Sequence, residues 1–321
     1  MSVIVPMYNT RKYIWTCIES IFEQTFQDFE IILIDDCSTD GSLEFVLDHF
    51  HDNRLQIFRN RENFGTGYTL NFGIKNSIGD YIYILDSDDA ILPETLETLL
   101  KTAEEYSADV VHMSLFNNIQ DPNFELHDKN VLATLEGDSN YTLGIQTNDI
   151  RKRLLQIGRE TKFPAWHNFF RGKFLREKHI FEPEIRSNVD VYFLIAVLCL
   201  AEKIVKIDQP LYLYRGTRSE SITNSKTEVK FSRFVQSLPE RIRYLRKLFE
   251  RDDLIGKVSY EWQMQFEAYV FYNHIKNLNL QNLPVETRCK IISKFYDGYL
   301  QPEVMKDFLQ IFFETALQEL E

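Results

Sequence analysis

The sequence predicts an α/β fold, a mostly parallel sheet with helices on both faces and a helical C-terminal extension. Two observations over residues 1–115 predict the sheet: short apolar runs alternate with segments of helical period, and acidic residues directly follow two of those runs. Strand–helix alternation is typical of parallel sheets. In such sheets, ligands bind beyond the carboxyl ends of the strands.

Each element of the first half has a local signal. Runs rich in β-branched and aromatic residues predict strands at 3–6, 30–34, 54–58, 80–85 and 109–115. Between them, apolar residues recur every three or four positions, as in Ile14, Cys17, Ile18 and Ile21. This spacing predicts helices at 11–22, 42–50, 66–77 and 93–106.

After residue 116 the alternation stops. We predict three regions: a first half at 1–115, a second half of the same domain at 116–225, and a helical region at 226–321. Residues 117–150 are rich in Asn, Asp and Gly, which predicts loops with short strands.

Bulk properties exclude several classes of protein. The net charge of −12 argues against nucleic-acid binding, which needs a basic face. The longest apolar run, Val191 to Ala201, is shorter than the roughly 20 residues of a transmembrane helix. No signal peptide is visible, and the four cysteines show no paired spacing. These features predict a cytoplasmic protein with free thiols.

Two strand ends are strongly acidic. The run Tyr81 to Leu85 leads into Asp86-Ser87-Asp88-Asp89, and the run Ile31 to Ile34 leads into Asp35-Asp36. Neighbouring carboxylates repel each other unless a positive charge neutralises them. A hard divalent cation with oxygen ligands would do so, and a solvated acidic turn is the alternative.

These strand ends belong to an ordered set of motifs: Val3 to Asn9, Asp35 to Ser42, Asn63 to Gly65, Asn71 to Gly73, Gly79 to Ile82, and Leu85 to Asp89. The set resembles the N-terminal half of family 2 glycosyltransferases. The resemblance implies a GT-A fold, an inverting reaction, a nucleotide-sugar donor and a divalent cation, Mn²⁺ or Mg²⁺. One departure is Thr69-Leu70 before Asn71, where many members carry a basic residue.

The resemblance also implies roles on the donor side. Pro6, Tyr8 and Asn9 would line the nucleotide base. The carboxylate of Asp36 would accept the imide N–H of uracil, which favours a UDP-sugar. Backbone at Asn63 and Gly65 would approach the ligand closely, or the segment is simply a turn.

The resemblance divides the second acidic cluster into separate roles. Asp86 would approach the ribose, and Asp88 would bind the cation that bridges the diphosphate. Asp89 would either assist Asp88 or cap the helix that follows.

The catalytic base is implied by Ser187 to Phe193, which matches the family's Glu-Asp pair and its aromatic residues. Asp190 aligns with the Asp, and Val189 stands where Glu is usual. Inversion in one displacement needs such a carboxylate to take the acceptor hydroxyl proton. The structural alternative is a carboxylate favoured by the dipole at a helix N-terminus.

Two further segments resemble the family. Pro164 to Arg171 resembles a Trp-containing segment, and Trp166, His167 and Asn188 are candidate contacts to acceptor or sugar. A buried aromatic and a structural histidine are the alternatives. Pro210 to Arg215 resembles the closing motif, in which Arg215 would contact the diphosphate and the segment 216–223 would close over the donor.

The C-terminal region carries an interleaved pattern. Residues 226–251 hold eight basic and three acidic residues among apolar residues at helical spacing. This pattern indicates peripheral contact with the inner face of the cell membrane, or a packed helix with a solvated basic face. Aromatic-rich segments at 260–272 and 295–313 indicate a helical appendage or a homodimer contact.

The sequence therefore predicts a metal-dependent inverting glycosyltransferase. Its acceptor would be a saccharide, lipid-linked or protein-linked hydroxyl in surface polysaccharide or glycoconjugate synthesis. One alternative is a catalytically impaired sugar-nucleotide binder, for which Val189 is the hint. Another is an aspartate-nucleophile phosphatase, although Ala90 stands where those enzymes usually have Thr. A dinucleotide oxidoreductase is disfavoured because no Gly-x-Gly-x-x-Gly follows an early strand.

Overall fold

The structure is a computed structural model. It describes residues 1–113, 116–119, 141–142, 165–180, 189–216, 240, 243–252 and 254. The chain divides into one unit of Met1–Glu184 with Val189–Ser219 and a second of Ile185–Asn188 with Glu220–Glu321. The predicted boundaries at 115 and 225 stay predictions.

The first unit begins with the predicted alternation of strands and helices. Its described strands are β1 Ser2–Met7, β2 Glu30–Asp35, β3 Leu55–Arg59, β4 Tyr81–Ile84, β5 Ala90–Ile91, β6 Val110–Met113, β7 Asn117–Ile119, β8 Tyr141–Thr142, β9 Asn168–Arg171, β10 Ile204–Ile207 and β11 Tyr212–Arg215. Its described helices are α1 Ile14–Phe22, α2 Ser42–His49, α3 Thr66–Asn76, α4 Thr95–Glu105, α5 Gly172–Glu177 and α6 Val189–Leu200. A 3₁₀ turn spans Ala165–His167.

The main sheet has the strand order β3-β2-β1-β4-β9-β6-β10-β8. Strands β1 to β4 pair in parallel, and β6 pairs in parallel with β10. The predicted mostly parallel sheet is therefore confirmed. Because β9 is antiparallel to both β4 and β6, the carboxyl ends of β4 and β6 meet at the same edge.

Helices cover both faces of this sheet. On one face, Ile14 and Ile18 of α1 join Val3 and Val5 of β1 in the main core. On the other face, Gly73 of α3 lies so close to β1 that an added Cβ would stand 3.2 Å from Cδ1 of Ile4. Alternate residues of β1 therefore contact opposite layers, which explains its continuous apolar sequence.

Two features of the sheets have no counterpart in the sequence patterns. The antiparallel strand β9 lies in the middle of the main sheet. A second sheet of order β5-β11-β7 begins at Ala90, directly after the acidic segment 86–89. These short strands pair residues far apart in the chain, as in Leu213 with Ala90. Local periodicity cannot reveal such pairs.

Little of the C-terminal region falls within the described residues. Residues 243–249 are helical, with buried Leu245, Leu248 and Phe249. Across the described part of the chain, no helix is both long and apolar enough to cross a bilayer. Membrane contact is predicted for residues 226–251, of which the structure describes only 240 and 243–251. The segments predicted to form a dimer contact, 260–272 and 295–313, lie outside the described residues.

Cys17, Cys37 and Cys199 form no disulfide. Cys289 lies outside the described residues.

Candidate functional site

The two acidic strand ends lie at the carboxyl edge of the main sheet, on either side of β1. Strand β1 pairs with β2 along its full length, but its pairing with β4 ends at Ile4 and Ile84. Pro6, two residues after Ile4, has no N–H to extend the ladder toward β4. The edge therefore opens between β1 and β4, where the chain order of the strands reverses, and this is where parallel sheets bind ligands.

Asp36, after β2, is buried and holds the segment that leads into α3. Its Oδ1 accepts the side-chain amide of Asn60 at 2.8 Å and the backbone N–H of Phe64 at 2.9 Å. Its Oδ2 accepts the backbone N–H of Gly65 at 2.8 Å. A carboxylate offers about four acceptor positions, so one position on Oδ2 remains for a ligand N–H. The role predicted for Asp36 toward uracil stays a prediction beside this structural one.

Gly65 has a φ of 91°, in the region that favours glycine. Asp36 therefore stabilises a backbone conformation that Gly65 permits at the start of α3. The predicted close approach of Asn63 and Gly65 to a ligand stays a prediction, and their segment is fixed against the end of β2.

Asn9, after β1, joins the ends of two strands. Its backbone N–H donates to Ser38 Oγ at 3.0 Å, and its side-chain Oδ1 accepts the N–H of Thr39 at 2.8 Å. Its φ of 51° is the left-handed conformation that Asn tolerates best after Gly. The neighbouring Tyr8 is 45% exposed at the edge of the sheet, which leaves its ring available to a base.

Asp86 and Asp88 lie in a tight turn after β4, in which the N–H of Asp89 donates to the carbonyl of Asp86 at 3.0 Å. Desolvation, and then the charges of Asp89, Asp88 and Asp190, raise the pKa of Asp86 well above its ordinary range. The charge of Asp190 therefore acts at the acidic turn, and the role predicted for Asp190 as the base stays a prediction.

Asp89 neither caps the helix that follows nor lies open beside Asp88. It is buried, and its Oδ2 accepts the hydroxyl of Tyr212 at 2.6 Å while its Oδ1 accepts the backbone N–H of Arg215 at 2.7 Å. Desolvation and the charge of Asp88 raise the pKa of Asp89 to about 8 against the effect of these bonds. Asp89 therefore attaches β11 to the acidic turn, a role that the sequence analysis missed.

Arg215 lies against the same turn. Its side chain is buried, its Nε donates to the backbone carbonyl of Asp88 at 2.9 Å, and its guanidinium lies 4.8 Å from the ring centre of Tyr13. The guanidinium is thus beside the residue predicted to bind the cation. Its predicted contact with the diphosphate stays a prediction.

Asp190 occupies the first turn of α6. Desolvation raises its pKa to about 6, against the opposing effect of the backbone N–H groups of Ala165 and of Asp190 itself. A carboxylate with this pKa is ionised at neutral pH and is more basic than an ordinary Asp, which suits a general base. Asn188 lies outside the described residues.

Trp166 and His167 follow Ala165 and are buried. Trp166 is 5% exposed and stacks on Tyr212, with ring centres 3.9 Å apart and an interplanar angle of 14°. The ring of His167 lies 4.0 Å from that of Trp166. These contacts support the structural alternatives, a buried aromatic and a structural histidine.

A polar cluster beside them was not predicted. His112 at the end of β6 is buried and bonds through Nδ1 to Oδ1 of Asn168 at 2.9 Å. Desolvation lowers the pKa of His112, which keeps the ring neutral at neutral pH. His112 lies inside an apolar strand, and no sequence signal separates it from an ordinary core position.

The residues present fit a divalent cation. The carboxylates of Asp86 and Asp88 are hard oxygen donors that repel each other. Among the residues that the structure describes, no three His, Cys, Asp or Glu side chains form a cage for a metal ion. A site of one or two carboxylates completed by substrate phosphates is the arrangement that Mg²⁺ usually adopts, and cation binding by Asp88 stays a prediction.

Known proteins resemble this chain in sequence and in fold. The family model Glycosyl transferase family 2 matches residues 2–179. Glycosyltransferase GlyG of Streptococcus pneumoniae is 35% identical over 239 residues, 73% of this chain and 76% of GlyG. Glycosyltransferase GlyA of the same organism is 29% identical over 252 residues, 77% of this chain but 35% of GlyA, so this chain spans about a third of that relative.

Among solved structures, the crystal structure of S. aureus TarS 1-349 in complex with UDP-GlcNAc superposes with a TM-score of 0.65 and 21% identity. The match covers 92% of this chain and 80% of that chain. At this identity the likeness establishes the fold, which is the GT-A fold predicted from the sequence.

We expect Asp36→Ala to lower the free energy of unfolding by about 2–4 kcal/mol, because it leaves three N–H groups near α3 without their acceptor. Chemical denaturation measures this loss. Asp28→Ala, at an exposed carboxylate, is the matched control and should change stability by less than about 0.5 kcal/mol. Equal stability of the two variants would contradict the structural role of Asp36.

We expect Asp190→Asn to stabilise the fold at pH 7.5 but not at pH 4, with a difference on the order of 2 kcal/mol. The pKa of Asp190 rises from 3.8 to about 6 on folding. Between these values the folded protein binds more protons than the unfolded chain, so wild-type stability falls as pH rises through this window. Asparagine does not titrate and escapes this loss.

Denaturant unfolding at both pH values, with chelator present, measures the effect of Asp190→Asn. Asp48→Asn, at an exposed carboxylate on α2, should show no such pH dependence. A destabilised Asp190→Asn protein at pH 7.5 would overturn the assignment of a desolvation penalty to Asp190.

Proposed function

The chain belongs to glycosyl transferase family 2, and from that membership we propose that it transfers a sugar from a nucleotide sugar to an acceptor hydroxyl with inversion. The observation that carries the proposal is the proximity of Asp190 to the acidic turn, where its charge acts on Asp86. One displacement needs a base near the donor's leaving group, and these carboxylates supply both sides of that arrangement.

Asp190 acts as the base in this proposal. Its raised pKa lets it accept the proton of the acceptor hydroxyl at neutral pH. The oxygen then attacks the anomeric carbon of the sugar, the bond from that carbon to the nucleotide diphosphate breaks, and the nucleotide diphosphate leaves. The N–H of Ala165 orients the carboxylate of Asp190 for this step.

The donor is a UDP-sugar in this proposal. Tyr8 is exposed where a base would stack, and Asp36 keeps one acceptor position for an imide N–H. Pro6 and Asn9 shape the same end of β1, Asp86 faces the ribose, and Arg215 supports the diphosphate. S. aureus TarS, which shares the fold, was crystallised with UDP-GlcNAc.

A divalent cation, Mn²⁺ or Mg²⁺, held by Asp88 would neutralise the charge that develops on the departing diphosphate. Arg215 fixes the backbone of Asp88 through its carbonyl, so the carboxylate is presented by a turn whose position is set from two strands. This dependence on a cation is proposed from the donor set of the turn.

The acceptor side is proposed only by class. The acceptor is a hydroxyl of a saccharide, free or linked to lipid or protein, in surface polysaccharide or glycoconjugate synthesis. We propose a cytoplasmic location, with residues 226–251 contacting the inner face of the membrane. Trp166 and His167 support the acceptor side from the buried 3₁₀ turn that they form with Ala165.

A catalytically impaired nucleotide-sugar binder is the second candidate, because Val189 stands where the family usually has Glu. An assay of donor consumption separates the two. Transfer or slow hydrolysis of the donor by wild-type protein supports the enzyme, and binding with neither reaction supports the binder.

We expect Asp190→Asn to reduce sugar transfer by about 10² to 10⁴-fold, the usual contribution of a general base, while UDP binding stays within about twofold because Asp190 lies on the acceptor side. Wild-type activity should rise with pH through about 6 as Asp190 ionises. Turnover assays and calorimetry measure these effects, with Asp48→Asn as the control. Full activity of Asp190→Asn would refute the assignment of the base.

We expect chelation to weaken UDP binding by at least about tenfold, because the diphosphate then faces uncompensated carboxylates. Added Mn²⁺ should restore binding. Asp88→Asn should bind UDP with little response to either treatment. Titration calorimetry measures this, and equal UDP affinity of wild-type protein with and without chelator would refute the cation.

A further inference from the structure

An unbroken series of contacts joins the two sides of the proposed site through Tyr212. The hydroxyl of Tyr212 donates to Oδ2 of Asp89 at 2.6 Å. The ring of Tyr212 stacks on Trp166 at 3.9 Å. Trp166 directly follows Ala165, in the 3₁₀ turn that packs against α6, and the backbone N–H of Ala165 acts on the carboxylate of Asp190. Asp89 directly follows Asp88, so the series runs from the proposed cation ligand to the proposed base.

The two contacts of Tyr212 in this series are rigid, each for a physical reason. A hydroxyl donating to a carboxyl oxygen at 2.6 Å is a short hydrogen bond. It is shielded from water, because Tyr212 is 0% and Asp89 is 2% exposed. The stacked rings of Tyr212 and Trp166 are nearly parallel, at 14°, inside the core. Neither contact can shift without moving its neighbour.

The small sheet gives Tyr212 its position. Tyr212 pairs with Ile91 and Leu213 pairs with Ala90, so β11 is bonded to the strand that directly follows the acidic turn. The backbone N–H of Arg215, at the end of β11, donates to Oδ1 of Asp89. Asp89 is thus held by β11 at two points three residues apart in the strand, and it cannot rotate independently of Tyr212.

We propose that Tyr212 is a positioning residue for sugar transfer, which holds Asp88 and Asp190 at a fixed separation through Asp89 and Trp166. The inference rests on the proposed function, because the separation matters only if the leaving group is held at Asp88 and the proton is taken at Asp190. A catalytic step is sensitive to displacements of about 1 Å between such groups. Substrate binding on either side alone is less sensitive.

The role assigned to Asp89 differs from that of a cation ligand. In the bridging role, an amide at position 89 can still accept the N–H of Arg215 and donate to the oxygen of Tyr212. In a ligand role, loss of the carboxylate charge weakens cation binding directly. Asp89→Asn therefore separates the two roles without changing the size of the side chain.

The first test is Tyr212→Phe, which removes the hydroxyl and keeps the stacking ring. We expect kcat to fall by about tenfold, the size of one buried hydrogen bond, while KM for the UDP-sugar stays within about twofold. Tyr81→Phe is the matched control, since Tyr81 also stacks on an aromatic ring, that of Phe169 at 5.2 Å, but at the opposite end of β4. Equal loss of kcat in both variants, or none in Tyr212→Phe, would overturn the inference.

The second test uses Asp89→Asn. We expect it to keep kcat within about threefold of wild type and to leave the Mn²⁺ concentration for half-maximal activity unchanged. A rise of about tenfold or more in that concentration would show that Asp89 is a cation ligand and would overturn the bridging role.

Hydrogen exchange provides a readout that does not depend on turnover. Tyr212→Phe should speed amide exchange by about tenfold both at 88–90 and at 165–167, and Tyr81→Phe should change neither segment. Faster exchange confined to 88–90 would overturn the proposed coupling. If the two variants give this exchange pattern but the wild-type protein transfers no sugar, the proposed function is overturned and the coupling stands.

Discussion

The carboxylate of Asp86 lies close enough to those of Asp88, Asp89 and Asp190 for each of them to raise its pKa. Gathering these like charges at one sheet edge opposes folding, because each ionised group raises the cost of ionising its neighbours. The surrounding structure offsets the repulsion within this cluster of aspartates. Hydrogen-bond donors and a buried arginine compensate part of the charge, and a bound cation would compensate the remainder.

The aspartates at this edge are handled in different ways. Asp36 is compensated by three N–H donors and supports the start of α3. Asp89 is compensated by a hydroxyl and an N–H from β11. Asp190 is desolvated but receives two backbone N–H groups, which leave it basic and still ionised at neutral pH. Residues of one chemical type therefore take structural and chemical roles according to their donors.

The small sheet β5-β11-β7 connects these roles. It begins one residue after Asp89 and carries Tyr212 and Arg215 back to the acidic turn from more than a hundred residues along the chain. Arg215 donates to the backbone carbonyl of Asp88, and its positive charge acts on the carboxyl group of Asp89. Tyr212 joins the turn to Trp166, which directly follows Ala165. The site is thus held from the main sheet and from this second sheet together.

The sequence by itself determined the first half of the fold, the family and the position of the acidic strand ends. Those features depend on local periodicity and on motifs of contiguous residues, such as Asp86 to Asp89. The structure alone decided that Asp89 bonds to Tyr212, that Asp36 supports α3, that Trp166 is buried, and that β9 enters the sheet antiparallel. Each of these outcomes depends on contacts between residues distant in the chain. Such contacts produce no periodic pattern in the sequence. An Asp that binds a ligand and an Asp that accepts a hydrogen bond from a buried hydroxyl are the same residue type, and only the fold determines which groups surround each of them.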